Sequence, residues 1–158
     1  MKNLNQILVP LDGSELSEKS LETAFTLAKL SGAKITFLRV LRPVEDVIKL
    51  DEHHSIYIDQ QIEYKTTRAT KYLKSVKDMA KKKSVTTDIV LETGHAAETI
   101  IDYANKNPID LIVMATHGRT GLQQWFYGST AAKVLKGASR PVLLVRSFAN
   151  AKKRMKHN

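Results

Sequence analysis

The 158-residue sequence has no cysteine, only seven glycines and no long apolar run. The missing cysteine excludes disulfides, thiolate nucleophiles and cysteine-bound metals. Apolar runs such as DLIVMAT (110–116) are far shorter than the roughly 20 residues that span a bilayer. The opening residues, MKNLNQILVPLDG, carry no apolar segment followed by a small-residue cleavage site. We therefore expect a cytoplasmic protein that does not enter a membrane.

Acidic residues are the scarcer charge, with 16 Asp and Glu against 25 Lys and Arg and a net charge of +9. The excess is concentrated between Lys65 and Lys83, where eight basic residues meet one acidic residue, and in the tail after Arg146. Such a surface suits nucleic acid or anionic lipid. However, the lysines spread over half of a helix circumference, and no aromatic residues alternate with them. The pattern favours a solvated helix face over nucleic-acid binding.

Short apolar runs alternate with helical patterns along the whole chain. The runs are apolar on both faces, which is typical of a parallel sheet between two helix layers. We predict one doubly wound α/β domain over residues 1–147, with a five-stranded parallel sheet in the order 3-2-1-4-5 and a basic, disordered tail at 148–158. The predicted strands are 6–11, 34–40, 87–92, 110–116 and 141–146, and the helices are 14–31, 56–82, 95–105 and 129–136. The apolar stripe of the second helix comprises Ile62, Ala69, Leu73, Val76 and Ala80.

Two turns at the carboxyl end of the predicted sheet carry the candidate site. PLDGS follows the first strand and ATHGRTG follows the fourth, and ligands of doubly wound sheets bind where such turns face each other. Gly128, Ser129 and Thr130 open the last helix, whose N–H groups and dipole favour an anion. The sequence contains neither a P-loop nor a G-x-G-x-x-G motif. Alternatively, Ser129 is only a helix cap and Gly118 and Gly121 only form turns.

Three segments resemble the universal stress protein family: ILVPLDGSELSEKSLETAFTLA near the start, ATHGRTGLQQWFYGSTAAKVL late in the chain, and RPVLLVR at its end. The resemblance covers about residues 4–147. Nucleotide-binding members carry glycine, two residues, glycine, nine residues, then glycine with serine or threonine. Gly118 and Gly128-Ser129 fit this spacing, whereas Ala115 replaces the first glycine. Its methyl group adds bulk near the phosphates and disfavours a positive φ.

The resemblance implies an adenine-nucleotide site that takes ATP, with Mg²⁺. Pro10 and Asp12 would line the nucleoside, and the Asp12 carboxylate would accept a hydrogen bond from a ribose hydroxyl. The backbone of Val40 would meet the adenine edge, with Met114 packed nearby. The residues around the phosphates would be Ala115, Gly118, Gly128, Ser129 and Thr130. The resemblance also implies a homodimer through the last strand (141–146) and protein partners whose identity is open.

Three functions remain open at this point. The first is a stress-response regulatory protein that binds ATP without efficient turnover. The second is a weak ATPase or an autokinase that modifies Ser129 or Thr130, with Asp12 and His117 as the nearest titratable groups. The third is a dimeric stress protein that binds no nucleotide and acts through protein partners. No catalytic residue is assigned. No metal site is assigned either, because the side chains of the adjacent residues His53 and His54 would diverge in a loop. The aromatic run 125–127 either packs in the core or covers the nucleotide.

Overall fold

The computed structural model describes residues 3–44, 55–118 and 128–148, excepting the side chains at 55–57, 117–118 and 147–148. Strands and helices alternate throughout. The strands are β1 (Gln6–Pro10), β2 (Lys34–Leu41), β3 (Thr87–Thr93), β4 (Leu111–Gly118) and β5 (Val142–Phe148). The helices are α1 (Glu15–Ser31), α2 (Ser55–Lys82), α3 (Ala96–Lys106) and α4 (Ser129–Gly137). All strand pairs are parallel, in the order β3-β2-β1-β4-β5, which confirms the predicted sheet.

Side chains of the central strands alternate between two cores, one on each face of the sheet. Ile7 and Val9 of β1 lie with α1 and α2 on one face, whereas Leu8 lies with α3 and α4 on the other. All three side chains are completely buried. The uninterrupted apolar sequence of β1 therefore reflects burial on both faces, as the sequence pattern indicated.

The stripe of α2 is buried only in its C-terminal two-thirds. Ala69, Leu73, Val76 and Ala80 are at most 1% exposed and pack against β2 and β3. Ile62, the first member of the predicted stripe, is 41% exposed, so the apolar stripe is not buried along its whole length. Ile62 lines a surface cavity with Leu41 and Thr93, the last residues of β2 and β3.

Strands β4 and β5 extend two residues beyond the predicted ends. His117 pairs with Ser147 and Gly118 pairs with Phe148, so Gly118 ends a strand and does not form the predicted turn. The extension includes His117 and Ser147, which the apolar pattern does not mark, because the strands are joined by backbone hydrogen bonds, which need no apolar side chain. Within the described ranges, none of the helices combines the length and apolarity needed to cross a membrane.

Candidate functional site

A cleft of about 250 Å³ opens at the carboxyl ends of β1, β2 and β4, beside the first turns of α1, α3 and α4. Eight of the nine residues predicted from the sequence line it: Pro10, Asp12, Val40, Met114, Ala115, Gly128, Ser129 and Thr130. Gly118, the ninth, ends β4 and is not among the described residues of the lining. Leu38, Val40, Ile100 and Met114 are among its apolar residues, and the polar side chains of the lining are the Asp12 carboxylate and the hydroxyl groups of serines and threonines. This combination is typical of small-molecule sites.

Asp12 is held in a defined turn at the rim of the cleft. Its Oδ1 accepts hydrogen bonds from the Ser14 backbone N–H (2.9 Å) and the Ser14 hydroxyl (2.6 Å). The Ser14 Oγ in turn accepts from the Ser17 N–H (3.1 Å) and caps α1. Burial alone would raise the pKa of Asp12, but the bonds from Ser14, with a contribution from Ser17, lower it below 3.8. The carboxylate is therefore ionised at neutral pH.

Gly13 follows Asp12 in this turn and lies close to the Arg39 side chain of β2. Its φ is +82°, a left-handed conformation that glycine adopts readily. A Cβ at this position would also clash with the Arg39 guanidinium, because it would lie 2.4 Å from Nη1. The guanidinium itself lies 5.2 Å from the ring centroid of Tyr72 on α2, in a cation–π arrangement. The Arg39 side chain thus lies between the Tyr72 ring of α2 and the space where a Cβ of residue 13 would be.

Ala115, which replaces a glycine of the family pattern, occupies a regular strand position. It pairs with Val145 of β5 and lines the cleft. Among the described non-glycine residues, only Ser84 has a positive φ. The backbone at position 115 therefore does not require glycine, and the concern about a forbidden φ does not apply. The methyl group remains as the one physical difference that a ligand would meet.

Gly128 starts α4 without supplying a side-chain cap. Its φ of −49° and ψ of 143° are accessible to any residue, and a Cβ built there meets no atom of the described residues within 4 Å. Neither backbone strain nor packing against the described residues therefore requires a glycine. Ser129 and Thr130 follow on the wall of the cleft, so the positive end of the α4 dipole is directed towards it.

A second cavity of about 260 Å³ shares Ala96, Ser129 and Thr130 with the cleft. Basic side chains predominate in its wall, with Arg42, His95 and Lys133 against the single acid Glu98. Lys133 Nζ lies 3.7 Å from Glu98 Oε1, and both side chains are more than half exposed. The pair is therefore a weak surface ion pair. The start of α4 lies between an apolar cleft and this basic cavity.

Sequence reasoning missed several residues of the cleft, of which Thr116 is the most unusual. Thr116 lines the cleft, is 2% exposed, and its Oγ1 has no hydrogen-bond partner in the described structure. Ser14, Ser17 and Ile100 also line the cleft. Their position at the start of α1 and on α3 was predictable from the fold. A buried hydroxyl without a partner leaves no sequence signal.

Other candidates from the sequence lie outside the described residues. These are His53 and His54, the aromatic residues Trp125, Phe126 and Tyr127, Gly121, and the tail after Phe148. His117 belongs to β4, but its side chain is not described. In the part of the chain that the structure describes, no three His, Asp or Glu side chains come together as a metal site.

Comparison with known proteins identifies the family. Residues 3–146 match the Universal stress protein family. The chain is 31% identical over 149 residues to Universal stress protein YxiE of Bacillus subtilis, covering 90% of this chain and 99% of that protein. It is 33% identical over 141 residues to Universal stress protein MJ0531 of Methanocaldococcus jannaschii, covering 89% and 81%. The chain therefore belongs to the universal stress protein family.

Solved structures share the fold at lower sequence identity. The protein MJ0577 superposes with a TM-score of 0.79 at 23% identity, covering 94% of this chain and all of that one. A universal stress protein in complex with cAMP gives a TM-score of 0.66 at 19% identity, covering 93% and 100%. The Archaeoglobus fulgidus universal stress protein in complex with dAMP gives 0.62 at 18% identity, covering 90% and 98%. Proteins of this fold thus include complexes with adenine nucleotides.

Proposed function

We propose that this universal stress protein binds ATP in the cleft and acts as a cytoplasmic regulatory protein of the stress response. The observation that carries the proposal is the start of α4. A helix N-terminus without a side-chain cap, opened by a glycine that contacts with the described residues do not require, adjoins an apolar cleft. Such an arrangement suits a ligand with an apolar ring and an anionic end.

The cleft walls suggest how the nucleotide would lie. The adenine ring would pack on the apolar wall near Val40 and Met114, with Pro10 against the nucleoside. Asp12 would accept a hydrogen bond from a ribose hydroxyl, because both bonds from Ser14 end on Oδ1 and leave Oδ2 for the ligand. The phosphates would lie at Gly128, Ser129 and Thr130, in the field of the helix dipole. Ala115 would be accommodated beside them, and Gly118 would act through its backbone at the end of β4.

The basic second cavity favours ATP over a monophosphate. Ser129 and Thr130 line both cavities, so a chain of phosphates that starts in the cleft would extend towards Lys133 and Arg42. Mg²⁺ would enter on these phosphates, because this ion keeps several waters and binds largely through substrate oxygens. The complexes of related proteins with cAMP and dAMP support the adenine part of the proposal.

Binding would regulate through assembly. Strand β5 is at the edge of the sheet, and its Leu143 is 37% exposed. An apolar edge strand of this kind is suited to pairing with a second copy. We propose a homodimer through residues 141–146, whose stability would shift with ATP by the difference in ATP affinity between the two states. The domain would comprise residues 1–147, followed by the basic tail.

Calorimetric titration with Mg·ATP and with AMP, on the wild type and on Gly128→Val, tests the proposal. We expect micromolar ATP binding by the wild type, weaker AMP binding, and loss of at least 10-fold in ATP affinity in the variant. Within residues 3–44, 55–118 and 128–148, no atom lies within 4 Å of a Cβ at position 128, so an unchanged melting temperature is the control. Absence of ATP binding by a folded wild type would instead favour the dimeric protein that acts without nucleotide. Rapid ATP hydrolysis with a defined KM would favour an enzyme.

A further inference from the structure

Thr116 presents a buried polar group on the wall of the cleft. Its side chain is 2% exposed, and Oγ1 has no hydrogen-bond partner within the described residues. Buried hydroxyl groups in proteins are almost always hydrogen-bonded, and an unsatisfied one is unfavourable. Valine would fill the same volume and suits a strand equally well. Contacts within the described structure of the free protein therefore do not explain why this position carries a hydroxyl group.

The position of Thr116 in β4 indicates which part of a ligand it would meet. Side chains alternate along a strand, so Thr116 lies on the same face as Met114, about 7 Å nearer the carboxyl end. Ser129 and Thr130 at the start of α4 line the same cleft. Rotation about the Cα–Cβ bond carries the hydroxyl among three staggered positions, so its direction can change without backbone movement.

We propose that the Thr116 hydroxyl donates a hydrogen bond to a phosphate oxygen of the bound nucleotide. The inference rests on the proposed function and adds a contact that the glycine spacing does not predict. A phosphate oxygen accepts hydrogen bonds only, and a hydroxyl is the donor that a threonine can offer. Hydrogen bonds to a charged acceptor are stronger than those between neutral groups. Binding would thus satisfy the group that is unsatisfied in the free protein.

Two substitutions at one position separate this role from packing. Thr116→Val keeps the shape and removes the hydroxyl, whereas Thr116→Ser keeps the hydroxyl and removes a methyl group. We expect Thr116→Val to lower ATP affinity about 10-fold or more. Adenosine affinity should stay unchanged, and the melting temperature of the free protein should stay the same or rise. Thr116→Ser should keep ATP affinity within about 3-fold and lower the melting temperature, because a buried methyl is lost.

The possible results are distinguishable from one another. If the wild type binds ATP and Thr116→Val binds it equally well, the contact is wrong and the proposed function stands. Equal losses for ATP and adenosine would overturn the phosphate assignment and move the contact to the nucleoside. A lower melting temperature for free Thr116→Val would show that the hydroxyl already has a partner in the protein. No ATP binding by the wild type would overturn the proposed function and this contact together.

Discussion

Replacing each of three glycines by alanine would measure how strongly the fold requires glycine at that position. Gly128 has an ordinary backbone conformation and open space, and Gly32 has a φ of +75° with open space. Gly13 combines a φ of +82° with the close approach of Arg39. Alanine therefore meets neither backbone strain nor a steric contact at position 128, backbone strain alone at position 32, and both at position 13. Stability should fall in that order.

The structure allows each step to be estimated. Alanine in a left-handed conformation costs roughly 1–2 kcal/mol, which is the expectation for Gly32→Ala. Gly13→Ala must also displace the Arg39 guanidinium from Tyr72, and loss of that cation–π contact adds about 0.5–1 kcal/mol. We expect about 1.5–3 kcal/mol for Gly13→Ala. At Gly128 the reduced entropy of the unfolded chain offsets a slightly poorer cap, and the net change should stay within about 0.5 kcal/mol.

Urea denaturation of the three variants, with unchanged m-values, measures these differences. A double-mutant cycle with Arg39→Ala isolates the steric part, because Cβ at position 13 then meets no guanidinium. Gly13→Ala should cost about 1 kcal/mol less in that background than in the wild type. Equal costs of Gly13→Ala in the two backgrounds, or equal costs for Gly13→Ala and Gly32→Ala, would refute the argument that the Arg39 guanidinium adds a steric cost at position 13.

Two further predictions concern helix α2 and Asp12. Leu73→Ala should destabilise the fold by about 2–5 kcal/mol, whereas Ile62→Ala on the same helix should cost less than about 1 kcal/mol, as urea denaturation would show; similar losses would mean that Ile62 is in the core after all. Asp12→Asn keeps an oxygen for Ser14 but places an amide where the ribose hydroxyl needs an acceptor, so adenosine affinity should fall about 10-fold. The pKa of Asp12 is lowered in the folded protein, so its contribution to stability is present above pH 3.8 and is lost as the pH falls through the folded value. Wild-type adenosine affinity measured calorimetrically should therefore be flat from pH 8 to 5, and a decline centred near pH 6 would contradict an ionised Asp12.

The sheet and the place of the site were predictable because they depend on patterns that extend over many residues. Strands apolar on both faces, separated by helical periods, leave few arrangements other than a doubly wound sheet. The carboxyl end of such a sheet then brings the turns after β1 and β4 together. Pro10, Asp12 and Ser129 line one cleft for this reason. They could therefore be assigned to one site although they are far apart in the sequence.

Features that depend on a single contact were not predictable. The extension of β4 to Gly118 depends on backbone pairing with β5, and the exposure of Ile62 depends on how closely the surrounding residues approach the N-terminal half of α2. The proximity of Arg39 to Gly13 depends on the register of β1 against β2, in which Pro10 lies opposite Leu38. Periodicity contains none of this information, since it describes which face a residue is on and not what the face meets.

Gly13 and Gly128 show that similar sequence contexts can have different structural causes. In the sequence, Gly13 and Gly128 are alike, since each stands next to a serine just before a helix. In the structure, Gly13 is explained within the protein by its φ and by Arg39. Gly128 has an ordinary φ, and no atom of the described residues lies near the place where a Cβ would be, so the same reasoning leaves it unexplained there. A residue that the fold does not require, at a helix N-terminus beside a cleft, is better explained by a group from outside the chain. That asymmetry makes Gly128 the better position at which to test the phosphate site, since a side chain there should disturb the ligand and leave the fold unchanged.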